Sequence, residues 1–228
     1  MTYTTPQDFE RRARERLLPA DAVVEAAGRS DFDLTPDTGA AGWRRPGAGG
    51  AAPRRAAVLM GLKPAGDDYA VLFTLRPQTM REHAGQVAFP GGRVDQADGH
   101  PLAAALREAR EEVGLQASEA RILGQADPYL TSTGYLVSVF LGLLPADFTP
   151  KPEPGEVADV FFTPLSFLMR PENHLRHARD YAGASRAYYA MPHDGRYIWG
   201  ATAGMIKSVY DRLYGRDAAT TREGRPAP

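Results

Sequence analysis

The 228-residue chain is predicted to be an α/β protein in which helices layer a mixed β-sheet. Two observations predict it. Short runs rich in apolar and β-branched residues recur along the chain and read as strands. Two longer stretches read as helices instead: 101–113, opened by Pro101 and closed by Gly114, and 201–214, with apolar residues at helical spacing. Strands accompanied by two main helices bury their apolar faces best as a sheet covered by helices.

The elements follow in order. Thr5-Pro6-Gln7-Asp8 places a capping residue before a proline and opens a helix to about Leu18, where Pro19 follows. Gly28 to Pro53 is rich in Gly, Ala, Pro and Arg without periodicity and reads as an irregular linker or covering segment. Ala56 to Leu62 and Tyr69 to Arg76 read as strands around the turn-forming Lys63-Pro64-Ala65-Gly66-Asp67. Phe89-Pro90-Gly91-Gly92 reads as a strand end and a tight turn free of side chains. A helix starts near Pro101 and stops at Gly114. Strands are expected over Ala120 to Asp127, Tyr135 to Leu144 and Val157 to Thr163, then a short helix over Pro164 to Met169. Leu175 to Ala182 and Arg186 to Ala190 suggest a hairpin. The final helix, Ala201 to Tyr214, has Met205, Ile206, Val209 and Leu213 on one face. Residues 216–228 read as a flexible tail.

Composition narrows the function classes. A net charge of −1 provides no basic field for nucleic acid or an anionic membrane. The absence of cysteine excludes disulfides, thiolate nucleophiles and Cys-ligated metal centres. No apolar run reaches the roughly 18 residues of a spanning helix. The N-terminal stretch holds Asp8, Glu10 and Glu15, unlike a transit peptide, and its charge is unlike a secretory signal. A cytoplasmic protein without nucleic-acid or membrane partners is expected, and a homodimer is left open.

Glu108, Glu111 and Glu112 stand at relative positions 0, 3 and 4 of the 101–113 helix. At about 100° per residue they share one face. Such faces are commonly just solvated. Like charges at these spacings repel, however, and a cation among them relieves that. Carboxylates suit hard divalent ions that also bind substrate phosphates. The Gly-rich loop immediately upstream strengthens this reading.

This stretch resembles the Nudix box of the Nudix hydrolases. Gly92 matches its first glycine, and Arg107, Glu108, Glu111, Glu112, Gly114 and Leu115 match its second half in order. Asp98 stands where the pattern has Glu, eight residues before Arg107 instead of seven, and Ala109 is a small version of the apolar position. Leu72-Phe73-Thr74-Leu75-Arg76, then Arg81, Gly85 and Phe89-Pro90-Gly91-Gly92, is similar to the extended signature of the coenzyme A pyrophosphatase branch, with Pro77 a departure. Glu156-Val157, Pro164-Leu165-Ser166-Phe167-Leu168 and Ile198-Trp199-Gly200-Ala201-Thr202-Ala203 also look like that branch.

The resemblance covers roughly residues 55 to 214. It implies a Nudix α/β/α sandwich over 55–215, preceded by an extension over 1–54. It also implies Mg²⁺ or Mn²⁺ held by Glu108, Glu111 and Glu112, and cleavage of the diphosphate of coenzyme A or acyl-coenzyme A. Arg107 is expected to point away from the metal face and orient a carboxylate, and Glu156 to serve as a further ligand or base. Arg76, Arg81 and His83 are basic residues for phosphate recognition, beside Gly91 and Gly92. Trp199 is expected in the core, whereas Tyr188 and Tyr189 could stack on a base. Other nucleoside diphosphate derivatives, or nucleotide binding without catalysis, are the competing readings.

Overall fold

A computed structural model describes residues 3–34, 52–79, 84–181 and 184–215. Helix α1 spans Pro6–Arg16, and the Thr5 hydroxyl caps it by accepting the Asp8 amide at 3.1 Å. The strands β1 (Arg29–Ser30), β2 (Arg54–Ala65), β3 (Asp68–Leu75), β4 (Val87–Ala88) and β5 (Gly91–Arg93) follow. Helix α2 runs Pro101–Val113, and then come β6 (Arg121–Gln125), β7 (Tyr129–Leu130), β8 (Tyr135–Leu143) and β9 (Asp159–Pro164). The short α3 (Leu165–Leu168) leads to β10 (Leu175–Tyr181), β11 (Ala184–His193), β12 (Arg196–Trp199) and the closing α4 (Ala201–Tyr214).

The nine strands β1 to β9 form one mixed sheet with β2 at its centre. β2 pairs in parallel with β8 over Arg54–Leu62, antiparallel with β3 at its far end, and antiparallel with β5 near its start. Alternate residues of β2 face opposite sides, as a pleated strand requires. Ala57 and Leu59 pack with Phe140 beneath Ala104, Ala105, Ala109 and Val113 of α2. Val58, Met60 and Leu62 join Phe9 and Ala13 of α1 and Ile206, Val209 and Leu213 of α4 on the other side. The result is the expected helix–sheet–helix sandwich. The alanines of α2 keep that helix close to the sheet, which brings its acidic rim near β5.

Two expectations are corrected. Gly91 and Gly92 do not form a turn; they pair with β2, Gly91 opposite Val58 and Gly92 opposite Ala57. A side chain at Gly91 would stand 2.4 Å from the Ala57 carbonyl oxygen, so close backbone approach is the reason for glycine there. The described start of the segment read as irregular is ordered. Arg29–Ser30 pairs in parallel with Tyr129–Leu130, and a 3₁₀ turn follows over Asp31–Asp33. Residues 35–51 and the tail 216–228 lie outside the described residues.

A separate three-stranded antiparallel sheet, β10–β11–β12, lies against α4. The hairpin expected from sequence supplies two of its strands. No helix among the described residues is long and apolar enough to cross a membrane.

Candidate active site

Helix α2 is fixed at both ends. His100 Nδ1 accepts the Leu102 amide at 3.1 Å, Pro101 occupies the first turn, and Gly114 ends the helix in a left-handed conformation at φ 76°. The loop after β8 then satisfies carbonyls left over at that end. Lys151 N donates to Val113 O at 2.9 Å and Glu153 N to Glu112 O at 3.0 Å. That pinning carries Glu156 over the acidic face, with its own amide bonded to Glu153 O at 3.0 Å.

One carboxylate oxygen from each of Glu108, Glu112 and Glu156 lies within 4.8 Å of the other two. Glu112 is 4 % exposed. Burial pushes its pKa up to about 8; the Gly91 amide, donating to Glu112 Oε2 at 3.2 Å, and the nearby Arg76 charge pull it down, while Glu108 and Glu156 add to the rise. Burial also raises the Glu108 pKa, against the hydrogen bond from Arg107. Oxygen-only donors at this spacing, one of them desolvated among like charges, fit a hard divalent cation.

Glu111 stands apart from this group. Its side chain is 43 % exposed and accepts from Arg107 Nη1 at 3.1 Å. Arg107 does not point away from the acidic face; it ties that face to the loop before α2. Its Nη1 also donates to Glu108 Oε1 at 2.8 Å, its Nε and Nη2 donate to the Asp98 carboxylate at 2.8 and 3.1 Å, and Nη2 reaches Arg93 O at 3.2 Å. Arg107 thus forms ion pairs with both Asp98 and Glu108. The Arg107 hydrogen bond is the main reason the Asp98 pKa is lowered. Between Asp98 and Arg107, Gly99 in a left-handed conformation at φ 68° and the capping His100 precede α2, and the other residues belong to the helix.

The acid group lines a cleft of about 710 Å³. Gly91, Gly92 and Arg76 line the same end. Among the described residues the Arg76 Nε is buried and makes no hydrogen bond. Arg81 and His83 lie outside the described residues.

Sequence reasoning misplaced Trp199. Ile198 takes the inward face of β12 and is fully buried, so alternation turns Trp199 to the opposite face, where it lines the cleft with Tyr188; Tyr189 also lines the cleft, from the face it shares with Met191. It also missed Asp31, which lines the cleft and accepts from Tyr129 Oη at 2.8 Å and Ser132 N at 2.6 Å. Burial raises the Asp31 pKa. The legible signal was Ser30-x-x-Asp33, a capping box in which Ser30 N donates to Asp33 Oδ2 at 3.0 Å.

The NUDIX domain profile matches residues 52–182. The chain is 41 % identical over 164 residues to the uncharacterized Nudix hydrolase NudL of Photorhabdus laumondii, covering 70 % of this chain and 85 % of that one. It is 36 % identical over 171 residues to the NudL of Yersinia enterocolitica, covering 74 % and 86 %. Among solved structures, the MutT/nudix family protein of Enterococcus faecalis aligns with a TM-score of 0.46 at 15 % identity, covering 72 % of this chain and 62 % of that one. The Nudix hydrolase RenU of M. smegmatis aligns at 0.41 and 22 % identity, covering 53 % and 78 %.

Proposed function

The chain belongs to the Nudix hydrolase family, and from that premise we propose that it hydrolyses the diphosphate of coenzyme A or acyl-coenzyme A. The products are 3′,5′-ADP and 4′-phosphopantetheine or its acyl form. The observation that carries the reading is where the Leu72–Gly92 signature lies. Arg76 and Gly91-Gly92 of that signature line the cleft beside Glu108, Glu112 and Glu156. The cleft, about 710 Å³, is within the range of sites for molecules of this size.

Glu108, Glu112 and Glu156 would hold Mg²⁺ or Mn²⁺, with Glu111 extending the acidic face at its rim. The bound ion supplies charge neutralisation at the diphosphate and acidifies a water. The residues of the chain do the remainder. The Gly91 amide fixes one oxygen of Glu112, and Arg107 fixes one oxygen of Glu108. Arg76 adds positive charge at the same end, where developing phosphate charge needs it. A carboxylate of the group accepts a proton from the attacking water. The water oxygen bonds to one phosphorus, the bridging P–O bond breaks, and the leaving phosphate takes the electron pair. Arg81 and His83 are assigned to phosphate recognition on the signature alone.

The test is hydrolysis of a panel with Mg²⁺ or Mn²⁺: coenzyme A, acetyl-coenzyme A, dephospho-coenzyme A, ADP-ribose and a dinucleoside polyphosphate. The expected result is the highest kcat/KM for coenzyme A or its acyl form. Preference for ADP-ribose or a dinucleotide overturns the substrate. Binding without turnover of any member overturns the enzyme and leaves a nucleotide-binding domain.

A further inference from the structure

The small sheet β10–β12 presents two chemically different faces. Met191 and Ile198, paired across β11 and β12, are fully buried in the core with Ile206 of α4. The opposite face carries Arg179, Arg186, Tyr188 and Trp199, and all four line the same cleft as the acid group.

Arg179 and Arg186 are direct register partners on β10 and β11. Side chains of such a pair stand on one face, about 5 Å apart at Cβ. Both arginines line the cleft, so two guanidinium side chains stand together at a ligand-facing position. The Arg179 guanidinium carbon lies 4.9 Å from the centre of the Trp199 ring, a cation–π contact that restrains the side chain. Tyr188 meets Trp199 edge-on at 5.4 Å. The cleft is therefore charge-segregated. Carboxylates for a cation lie at the α2–β5 end, with Arg76 close enough to Glu112 to lower its pKa. Paired arginines stand on the wall formed by the small sheet.

We propose that Arg179 and Arg186 bind a phosphate monoester carried on the nucleoside part of the substrate, separate from the diphosphate that is cut. Trp199 is a positioning residue that holds the Arg179 guanidinium. This rests on the hydrolase reading above and adds the means of selection. Guanidinium groups bind phosphate through a planar fork of donors, and two of them match the charge of a monoester. Arg76 serves the diphosphate end.

The experiment compares binding of 3′,5′-ADP and AMP by calorimetry, in the parent protein and in Arg179→Gln, Arg186→Gln and Arg186→Lys. Thermal melts of each variant establish that it is folded. The parent is expected to bind 3′,5′-ADP at least about tenfold more tightly than AMP, the gain of one charge-assisted contact. Each Gln variant should lose most of that ratio, and the Lys variant should keep part of it. Equal binding of the two nucleotides by the parent overturns the proposal. So does an equal loss for both nucleotides in the Gln variants, which marks a structural role. The substrate reading is judged separately. A ratio that depends on these arginines in an enzyme that ignores coenzyme A leaves this assignment standing and removes the substrate. Cleavage of coenzyme A with a ratio indifferent to the arginines does the reverse.

Discussion

A methyl group on Gly92 would stand 2.5 Å from the carboxylate of Glu108. The strand at β5 and the helix at α2 approach so closely that only a hydrogen fits between them. The obstructing atoms are the end of a flexible side chain, so Gly92→Ala is expected to fold and to displace Glu108. Divalent-metal affinity and kcat should both fall by at least about tenfold, the cost of one misplaced ligand. A melting temperature close to that of the parent should accompany the loss. Isothermal titration with Mn²⁺ and a thermal melt check this; parent-like metal affinity would sink it.

Glu112 is buried among Glu108 and Glu156, with a pKa raised from 4.5 to about 8. The sign follows from linkage. The unfolded chain gives up this proton near 4.5 and the metal-free fold retains it to about 8, so the contribution to stability is full below 4.5 and is lost as pH rises through 8. In chelator, Glu112→Gln should therefore melt above the parent at pH 8–9, by a few degrees, since about 1 kcal/mol is 2–4 °C for a chain of this size. Mg²⁺ should raise the melting temperature of the parent and much less that of the variant. Glu156→Gln should likewise weaken metal binding. A variant that keeps the full metal-induced shift would exclude its glutamate from the site.

Arg107 makes five hydrogen bonds, to Asp98, Glu108, Glu111 and the Arg93 carbonyl. Arg107→Lys keeps the charge but cannot reproduce the fork. Asp98, 5 % exposed at its side chain, then loses its bidentate partner, a loss worth about 1–3 kcal/mol. The expected outcome is a lower denaturant midpoint together with a lower kcat. Unchanged values of both would show that the network is incidental.

His174, buried and outside the acid group, is expected to make stability depend on pH. Its Nε2 donates to the Leu168 carbonyl at 2.7 Å, and its Nδ1 is buried without a partner among the described residues. Burial is the main cause that lowers its pKa from 6.5; Lys207 adds to it, and the Leu168 bond, Asp211 and Glu172 oppose it. The unfolded chain binds the proton first, so the contribution is present above 6.5 and is lost as pH falls below it. Stability should drop by up to about 1.4 kcal/mol per pH unit in that window. His174→Gln should flatten the slope below pH 6.5. An identical slope would remove the assignment.

The elements that carry strong local periodicity were legible in the chain. The apolar runs read at 56–62, 69–76 and 135–144 fall on β2, β3 and β8, because buried apolar runs leave no other use for themselves, and 101–113 and 201–214 are helices by spacing and capping. The acidic face of α2 followed from a helical turn alone. The two-residue strand Arg29–Ser30 was not legible, because its reason to exist is its partner Tyr129–Leu130. Gly91-Gly92 looked like a turn because glycine signals both a turn and close backbone approach, and only the neighbouring Ala57 carbonyl distinguishes them.

What the sequence by itself determined is the chemistry available: oxygen ligands on one helical face, no thiols, and an arginine before the first glutamate. Which carboxylates meet was decided by tertiary structure. Glu111 is adjacent to Glu112 in sequence yet turns to Arg107, whereas Glu156, 44 residues after Glu112, joins Glu108 and Glu112. The physical reason is the unsatisfied end of α2. Its last carbonyls take the amides of Lys151 and Glu153, and that hydrogen bonding brings a distant loop, and its carboxylate, onto the face of the helix.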